Sequence, residues 1–167
     1  MRIIKLITHF FNTIKILTYN LMVIYMLIKC NYKEKELLAR LMRAEAKGEG
    51  NLGMLMVGNV CLNRIIVNCL TFKEIRTITD MVYQSPGGFS GIKSPLFIGS
   101  PTQSELYLAE RVLNGEYYHP ATNALWFYAC KREEKCSNTW WNQKYSGQYK
   151  NHCFYKPQKG ICKEIRP

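Results

Sequence analysis

The stretch Arg43-Ala44-Glu45-Ala46-Lys47-Gly48-Glu49-Gly50 closes an amphipathic run and gives the clearest indication of both fold and chemistry in the chain. The run before it carries four apolar residues at helical spacing, which form one stripe: Leu37, Leu38, Leu41 and Met42. Glu45 lies four residues beyond Leu41, so its carboxylate continues the stripe. The basic residues of the run are predicted to point elsewhere: Arg40, Arg43 and Lys47.

Glu45 is the candidate general acid. A carboxylate on a buried face is partly desolvated, and desolvation raises its pKa. An acid that stays protonated near neutral pH is what cleavage of a glycosidic bond requires. Gly48 and Gly50 then end the helix and allow backbone or ligand to come close. By position alone, a glutamate near a helix end is more often solvated or capping, so the assignment depends on the rest of the chain.

Composition indicates one globular domain with a basic surface. The 167 residues are 47% hydrophobic and 21% charged, which is ordinary globular composition and long enough for a core. The 23 Lys and Arg against 12 Asp and Glu give a formal charge of +11. Such a charge suits a polyanion: nucleic acid, anionic lipid or a cell-wall polymer. Because no zinc-finger, helix-turn-helix or RNA-recognition motif is visible, the sequence predicts no nucleic-acid partner.

Few residues are available for metal or second-acid chemistry. Asp80 is the only aspartate in the chain. Four cysteines in polar, loop-like contexts could form disulfides of unknown pairing: Cys69, Cys136, Cys153 and Cys162. Cys61 lies in an apolar helical pattern and is predicted to be a core residue. Since no Cys-x-x-Cys spacing occurs, we predict no metal site and no cofactor.

The N-terminal segment differs from the rest. Residues 1–29 are basic and apolar and contain no acid. Their uncharged stretch, residues 16–28, is shorter than the roughly 20 apolar residues of a membrane-spanning helix, and no small-residue cleavage site follows it. We interpret residues 1–32 as a leader, either an anchor with weak membrane association through residues 1–29 or a dispensable extension. Residues 33–167 form the predicted catalytic domain.

Periodicity predicts a predominantly helical α+β domain with a small aromatic-rich β element near the C-terminus. The predicted helices cover residues 34–47, 52–67, 72–83 and 102–114, and the predicted strands cover residues 124–128 and 152–155. Residues 84–90 form a loop by their turn signals, and residues 91–101 are predicted to be irregular. The second helix is apolar almost all round and is therefore predicted to be central.

Several polar and aromatic residues are candidates for substrate contact, each with a structural alternative. Asn59 and Asn63 share a face of the second helix, where they contact substrate or brace a neighbouring loop. Phe89 either lines a groove or packs on the core. Aromatics interleaved with amides near the C-terminus suit stacking on sugar rings or core packing; the candidates there are Trp141, Asn142, Gln143, His152 and Tyr155.

The motifs together resemble the spore cortex-lytic cell wall hydrolases of the CwlJ/SleB type, and most closely the CwlJ branch. The resemblance is carried first by residues 38–50 and 53–60. Further matching segments follow in the same order: Asn63-Arg64, Asn68-Cys69, 72–78, 81–84, 114–116, 139–143 and 152–155. It implies hydrolysis of spore cortex peptidoglycan during germination, a fold akin to lytic transglycosylases and lysozymes, and Glu45 as the catalytic glutamate. It also implies a location in the spore coat or cortex, with spore-coat proteins as partners; a membrane-anchored or secreted form is the other reading.

Two mechanisms fit a glutamate in this position. Ordinary glycosidases use two carboxylates, and Glu49 is the only acid close to Glu45 in sequence, where it either turns toward the groove or makes local capping bonds. A lytic transglycosylase needs one acid, which suits the scarcity of aspartate, and we therefore predict that Glu45 alone acts as acid and base.

Three other classes of protein are weighed against this prediction. An N-acetylmuramoyl-L-alanine amidase would need a compact zinc site, whereas His9, His119 and His152 are scattered. A cysteine peptidase would pair Cys153 with His152, but adjacent strand residues face opposite sides. A non-catalytic spore-coat or cell-wall-binding protein would use the basic charge and the aromatics to bind glycan without cutting it.

Overall fold

A computed structural model describes residues 28–131, 134–163 and 165 of the chain. Four α-helices come first in this part: α1 Tyr32–Ala46, α2 Gly50–Val67, α3 Ile78–Val82 and α4 Gln103–Leu113. An antiparallel sheet follows, with strands β1 Trp126–Ala129, β2 Thr139–Trp140, β3 Gln143–Tyr149 and β4 His152–Lys156 in the order β1-β4-β3-β2. The prediction of a predominantly helical α+β chain with a small C-terminal β element is confirmed. The predicted leader, apart from residues 28–32, lies outside the described residues.

Helix α1 begins at a capping box two residues before the predicted start. The Asn31 side chain accepts a hydrogen bond from the Glu34 amide at 3.0 Å, and the Glu34 carboxylate accepts one from the Asn31 amide at 3.2 Å. The predicted stripe is confirmed, since its four members are buried: Leu37, Leu38, Leu41 and Met42. A 3-10 turn at Lys47–Glu49 and the left-handed backbone of Gly50 (φ 79°) then join α1 to α2.

Helix α2 is the central element, as predicted, and it is buried continuously from Gly53 to Ile65. Gly58 allows α4 to pack closely, because a β-carbon there would lie 2.8 Å from a methyl group of Val112. By length and composition alone, the helical run Tyr32–Val67 could cross a membrane. However, 78% of its most apolar window is buried inside the protein, so the same apolar residues serve as the core of the helical part.

The predicted third helix, residues 72–83, is wrong in extent. The structure has a 3-10 turn at Leu70–Phe72 and a short helix α3 that begins only at Ile78. The reason is a local cap: the Thr77 hydroxyl accepts from the Asp80 amide at 3.0 Å, and the Asp80 carboxylate accepts from the Thr77 amide at 3.0 Å. Ile75 and Ile78 are both buried and lie three residues apart, which imitates the spacing of a helix. Only Ile78 belongs to α3.

Arg43, which was predicted to point away from the apolar stripe, is buried against other segments of the chain. It is 8% exposed and forms an ion pair of 3.1 Å with Glu105, which lies in α4. Its guanidinium also donates at 2.7–3.2 Å to four backbone oxygens: those of Leu96, Ile98, Gly99 and Ser100. A buried guanidinium is tolerated because its donors are paired. The irregular segment that ends at Ser100 is thereby fixed against α1, with 3-10 turns at Ser90–Lys93 and Pro95–Phe97.

The sheet presents two different faces. Phe127 pairs with Phe154, and Ala129 pairs with His152; these residues face the helices. The opposite face carries a small cluster around Cys153 and Tyr155. Strands β2 and β3 lie in a segment for which no strand was predicted, because β3 has no alternating apolar pattern and its pairing is irregular between Tyr145 and Gly147.

Two disulfides fix the C-terminal part. Cys136 is bonded to Cys153 and so ties the loop before β2 to β4. Cys69 is bonded to Cys162 and so ties the end of α2 to the segment after β4. The four cysteines expected to pair are thus joined in the two bonds, while Cys61 is a free, fully buried thiol in the core.

Candidate active site

A cleft lies between the end of α1, the 3-10 turn Ser90–Lys93 and the edge of the sheet formed by β1 and β4. Its volume is about 420 Å³. The described residues that line it come from four separate segments of the chain: Ala44, Glu45, Ser90, Gly91, Ser94, Phe127, Tyr128, Ala129 and His152. Helices and sheet therefore each supply one wall.

Glu45 is the carboxylate of this cleft. Its Oε1 accepts a hydrogen bond from the Gly91 amide at 2.5 Å. Burial raises the pKa of Glu45, and this effect exceeds the opposing ones of the Gly91 hydrogen bond and the positive charge of Arg64. The approach requires glycine, since a β-carbon at position 91 would lie 2.6 Å from Oε1. The carboxyl group is thus both fixed in place and biased toward its protonated form.

The Glu49 carboxylate is engaged by the turn between β3 and β4. It is 8% exposed, and its two carboxylate oxygens accept from the Asn151 amide and the Asn151 side chain, each at 3.2 Å. Its backbone oxygen accepts from the Lys150 ammonium at 2.7 Å. Although it occupies the N-cap position of α2, its side chain makes no capping bond there. Glu49 anchors the turn between β3 and β4 and is not one of the described residues lining the cleft.

The charged residues of the opening motif therefore hold three distant segments. Arg43 holds the loop that ends at Ser100, Glu45 holds Gly91, and Glu49 holds the turn at Asn151. Each segment contributes to the cleft or leads directly into it. The motif is the point to which both walls of the cleft are attached.

His152 forms part of the sheet wall. It is 3% exposed, and its ring centroid lies 5.0 Å from that of Phe127. Burial lowers its pKa, while the charge of Glu49 opposes this, so the imidazole is favoured in its neutral form. Its Nδ1 is buried and has no hydrogen-bond partner among the described residues. A buried ring nitrogen without a partner carries a desolvation cost.

Arg64 and Gly91 were missed as parts of the site. Arg64 is 4% exposed, donates from Nε to the Leu125 oxygen at 2.8 Å, and lies 4.2 Å above the Phe89 ring. Burial lowers the pKa of Arg64 to about 10. An arginine within an otherwise apolar helix was the available sequence signal for Arg64. Gly91 had no comparable signal, because its approach to Glu45 joins segments 46 residues apart.

The two asparagines of α2 brace a loop. Asn59 donates to the Glu116 oxygen at 2.7 Å and accepts from the Tyr118 amide at 2.9 Å. Asn63 donates to the oxygens of Ala121 and Ala124, each at 2.9 Å. Both are fully buried, and neither is among the described residues that line the cleft.

The remaining candidates lie outside the lining of the cleft as far as the structure describes it. Phe89 is buried beneath it and packs 6.1 Å from Phe127. Tyr155 is buried on the opposite face of the sheet and donates to the Ser137 oxygen at 2.8 Å. Trp141 and Asn142 form the turn between β2 and β3, and Gln143 donates to the Trp141 oxygen at 3.3 Å.

One group of side chains has the spacing of a metal site. The sulfur atoms of Cys130, Cys136 and Cys153 lie within 4.8 Å of one another. Two of them are bonded to each other, so they would have to be reduced before acting as thiolate ligands. Of the histidines, His119 is exposed and is not among the lining residues, whereas His152 lies in the cleft.

Comparison with known proteins agrees with this architecture. Residues 48–155 match a family model described as Cell Wall Hydrolase. Proteins named cell wall hydrolase CwlJ from Oceanobacillus iheyensis and Bacillus subtilis are 54% and 41% identical over 138 residues, which cover 83% of this chain and 96% and 95% of theirs. The catalytic domain of the Bacillus cereus SleB protein superposes with a TM-score of 0.60 at 20% identity, covering 77% of this chain and 95% of that domain. The fold is thus shared with SleB, and the chain belongs to the cell wall hydrolase family.

Proposed function

We propose that this protein cleaves the glycan strand of spore cortex peptidoglycan during germination, with Glu45 as its single acid and base. One observation carries the proposal: a carboxyl group of raised pKa faces the cleft while the Gly91 amide fixes its Oε1. Because Oε1 already accepts that hydrogen bond, Oε2 is the oxygen left to carry a proton to substrate. The relatives named CwlJ, and the fold shared with SleB, support the cell wall as the place of action.

The reaction needs only this one carboxyl group. Glu45 gives its proton to the oxygen that bridges N-acetylmuramic acid and N-acetylglucosamine, and the bond from that oxygen to the anomeric carbon breaks. The resulting carboxylate then takes the proton of the muramic 6-hydroxyl while the 6-oxygen bonds to the anomeric carbon. The products are an anhydro-muramic end and a free 4-hydroxyl, and Glu45 is again protonated. No water is consumed.

The surroundings of Glu45 favour this route over a two-carboxylate hydrolysis. Hydrolytic glycosidases hold a second carboxylate about 5–9.5 Å from the first. Glu45 is the sole carboxylate among the described residues that line the cleft. The nearest acid in sequence, Glu49, is engaged by Asn151.

The test is product analysis on purified cortex peptidoglycan. Wild type and Glu45→Gln are compared with Glu36→Gln, a matched control with the same change on the same helix but outside the cleft. We expect Glu45→Gln to slow muropeptide release by about 10²–10⁴-fold, the usual contribution of a general acid. Wild type and the control should release fragments with anhydro-muramic ends, detected by mass spectrometry.

Each alternative has its own product. Equal release by wild type and Glu45→Gln would refute the assignment of the acid. Reducing ends without anhydro-muramic acid would reject the transglycosylase step alone and indicate hydrolysis. Free stem peptides with intact glycan would indicate an amidase. Binding to cortex without any soluble muropeptide would indicate a non-catalytic wall-binding or coat protein.

A further inference from the structure

The tip of the hairpin between β2 and β3 carries an exposed tryptophan stacked on a second one. Trp141 is 80% exposed, and its ring lies parallel to that of Trp140, with centroids 4.7 Å apart and planes inclined by 13°. Trp140 packs in turn against Tyr155, with centroids 5.6 Å apart. We call Trp140 and Trp141 the indole pair. Its outer ring is presented to solvent and its inner ring is fixed to the sheet.

The backbone at this tip does not favour tryptophan. Trp141 and Asn142 have φ values of 47° and 62°, the left-handed conformation that a two-residue hairpin turn requires. Asparagine and glycine adopt this conformation readily, whereas a bulky side chain is disfavoured in it. Because most of the Trp141 side chain stays in water, hydrophobic burial does little to offset that cost. Folding therefore does not account for a tryptophan at position 141.

The tip is held rigidly by side-chain amides. Gln143 donates to the Trp141 oxygen at 3.3 Å, and Gln158 donates to the Asn142 oxygen at 3.0 Å. These bonds hold the backbone of the turn, and stacking on Trp140 sets the orientation of the outer indole before any ligand arrives. Pre-organisation of this kind reduces the entropy lost on binding.

We propose that the indole pair is a glycan-binding site separate from the cleft, in which Trp141 stacks on the apolar CH face of a pyranose ring. The inference rests on the proposed function, since a wall polymer supplies the glycan. The exposed Asn142 beside it offers an amide to sugar hydroxyl or N-acetyl groups. A protein partner would require roughly 800 Å² of complementary surface, much more than one indole flanked by amides.

The two sites lie on different faces of the sheet. The cleft uses Phe127 and His152, whereas Tyr155, which supports the indole pair, belongs to the opposite face. Tyr128 of β1 touches both, because it lines the cleft and its ring centroid lies 5.1 Å from that of Trp140. Trp141 is not among the described residues that line the cleft, so the glycan segment that it holds lies outside the segment bound at Glu45. The indole pair would keep the enzyme attached to an insoluble substrate while the cleft acts.

The experiment measures binding without cleavage. All variants carry Glu45→Gln, and the bound fraction is measured by co-sedimentation with purified sacculi. We expect Trp141→Asn to weaken binding about tenfold while the melting temperature stays equal or rises, because asparagine suits the left-handed backbone. Trp141→Tyr should retain most of the binding. Tyr107→Asn, which removes an aromatic side chain that is 63% exposed on α4, serves as the matched control.

Unchanged binding in Trp141→Asn would overturn the proposal, and so would a lowered melting temperature in step with lost binding. If Trp141→Asn loses binding to anionic vesicles but not to sacculi, Trp141 contacts a membrane instead, and the proposal is equally overturned. Failure here leaves the muropeptide result for Glu45→Gln untouched. Conversely, Trp141-dependent binding by a wild-type protein that releases no muropeptide would refute only the proposed function.

Discussion

The helical region, residues 32–113, and the sheet region, residues 126–156, are stabilised in different ways. The helical region buries a continuous apolar core around α2 and satisfies its buried charges internally, as the Arg43–Glu105 pair illustrates. The sheet region has four short strands and only small clusters of its own, and it relies on packed aromatic rings and on the Cys136–Cys153 bond. A sheet of this size needs such support, because it cannot bury enough apolar surface by itself.

The two regions make different contributions to the cleft. The proposed acid, Glu45, is placed on the well-packed helical region, where its position is fixed by the backbone of a neighbouring turn. The sheet region supplies the opposite wall through Phe127 and His152. Substitutions in the two regions should therefore have different consequences, and the following experiments test that expectation.

Arg43→Met should cause the largest loss of stability. It leaves Glu105 as an unpaired buried charge and removes the donors for the loop that ends at Ser100. Removing one partner of a buried pair costs about 3–5 kcal/mol, which urea denaturation would measure. The matched control is Arg111→Met, whose partner Glu116 is more exposed and whose loss should cost less than about 1 kcal/mol. Equal losses would contradict the view that the helical region depends on internal pairing of charge.

Loss of the Cys136–Cys153 bond should cause the second largest loss of stability, and its effect should be confined to the sheet region. Replacing both cysteines with serine should cost about 2–4 kcal/mol. Hydrogen exchange should become faster in β3 and β4 while the amides of α1 and α2 stay protected. The paired change at Cys69 and Cys162, which spans 93 residues and both regions, is the comparison. Uniformly faster exchange in the first variant would show that the two regions unfold as one unit.

Gly91→Ala tests the close contact between Gly91 and the Glu45 carboxyl group. The new β-carbon would lie 2.6 Å from Glu45 Oε1, so the turn or the carboxyl group must move. Such overpacking costs about 1–3 kcal/mol, and the cleavage rate should fall with it. Gly48→Ala is the control, because a β-carbon added there would meet no neighbouring atom within 4 Å and the backbone at this position accepts alanine. Full activity in Gly91→Ala would mean that the close approach is not needed for catalysis.

Glu45→Gln should produce the smallest change in stability, and its sign depends on pH. The folded protein holds the Glu45 proton more tightly than the unfolded chain does, since burial raises the pKa above its ordinary value of 4.5. Stability is therefore lost as the pH rises from that ordinary value through the raised one. We expect the variant to melt higher than wild type at pH 7 and at the same temperature at about pH 3.5, where the carboxyl group is protonated in both states. A variant that melts lower at pH 7 would contradict the raised pKa.

The fold could be predicted where local pattern decided it. The stripe from Leu37 to Met42 and the apolar length of α2 predicted both helices within two residues of their bounds. Helix α3 was overestimated because burial gave Ile75 and Ile78 a helical spacing that the cap at Thr77 interrupts. Strand β3 was missed because it is polar and is specified by its partner β4.

The site could be predicted only in part, because its contacts are between distant segments. Glu45 was identifiable from its position on the stripe. The burial of Arg43 and the engagement of Glu49 could not be foreseen, since their partners lie more than 50 residues away in sequence. The approach of Gly91 depends on how the loop returns to α1, which no local pattern specifies.

The division of the cleft between two regions has a consequence for a member of the cell wall hydrolase family. A copy whose sheet has not yet docked keeps Glu45 but lacks the wall that Phe127 and His152 provide. Such a molecule has the Glu45 carboxyl group but no binding surface for a sugar strand beside it. With Glu45 as the proposed acid, we therefore expect cleavage only from molecules in which the sheet has docked against the helical region.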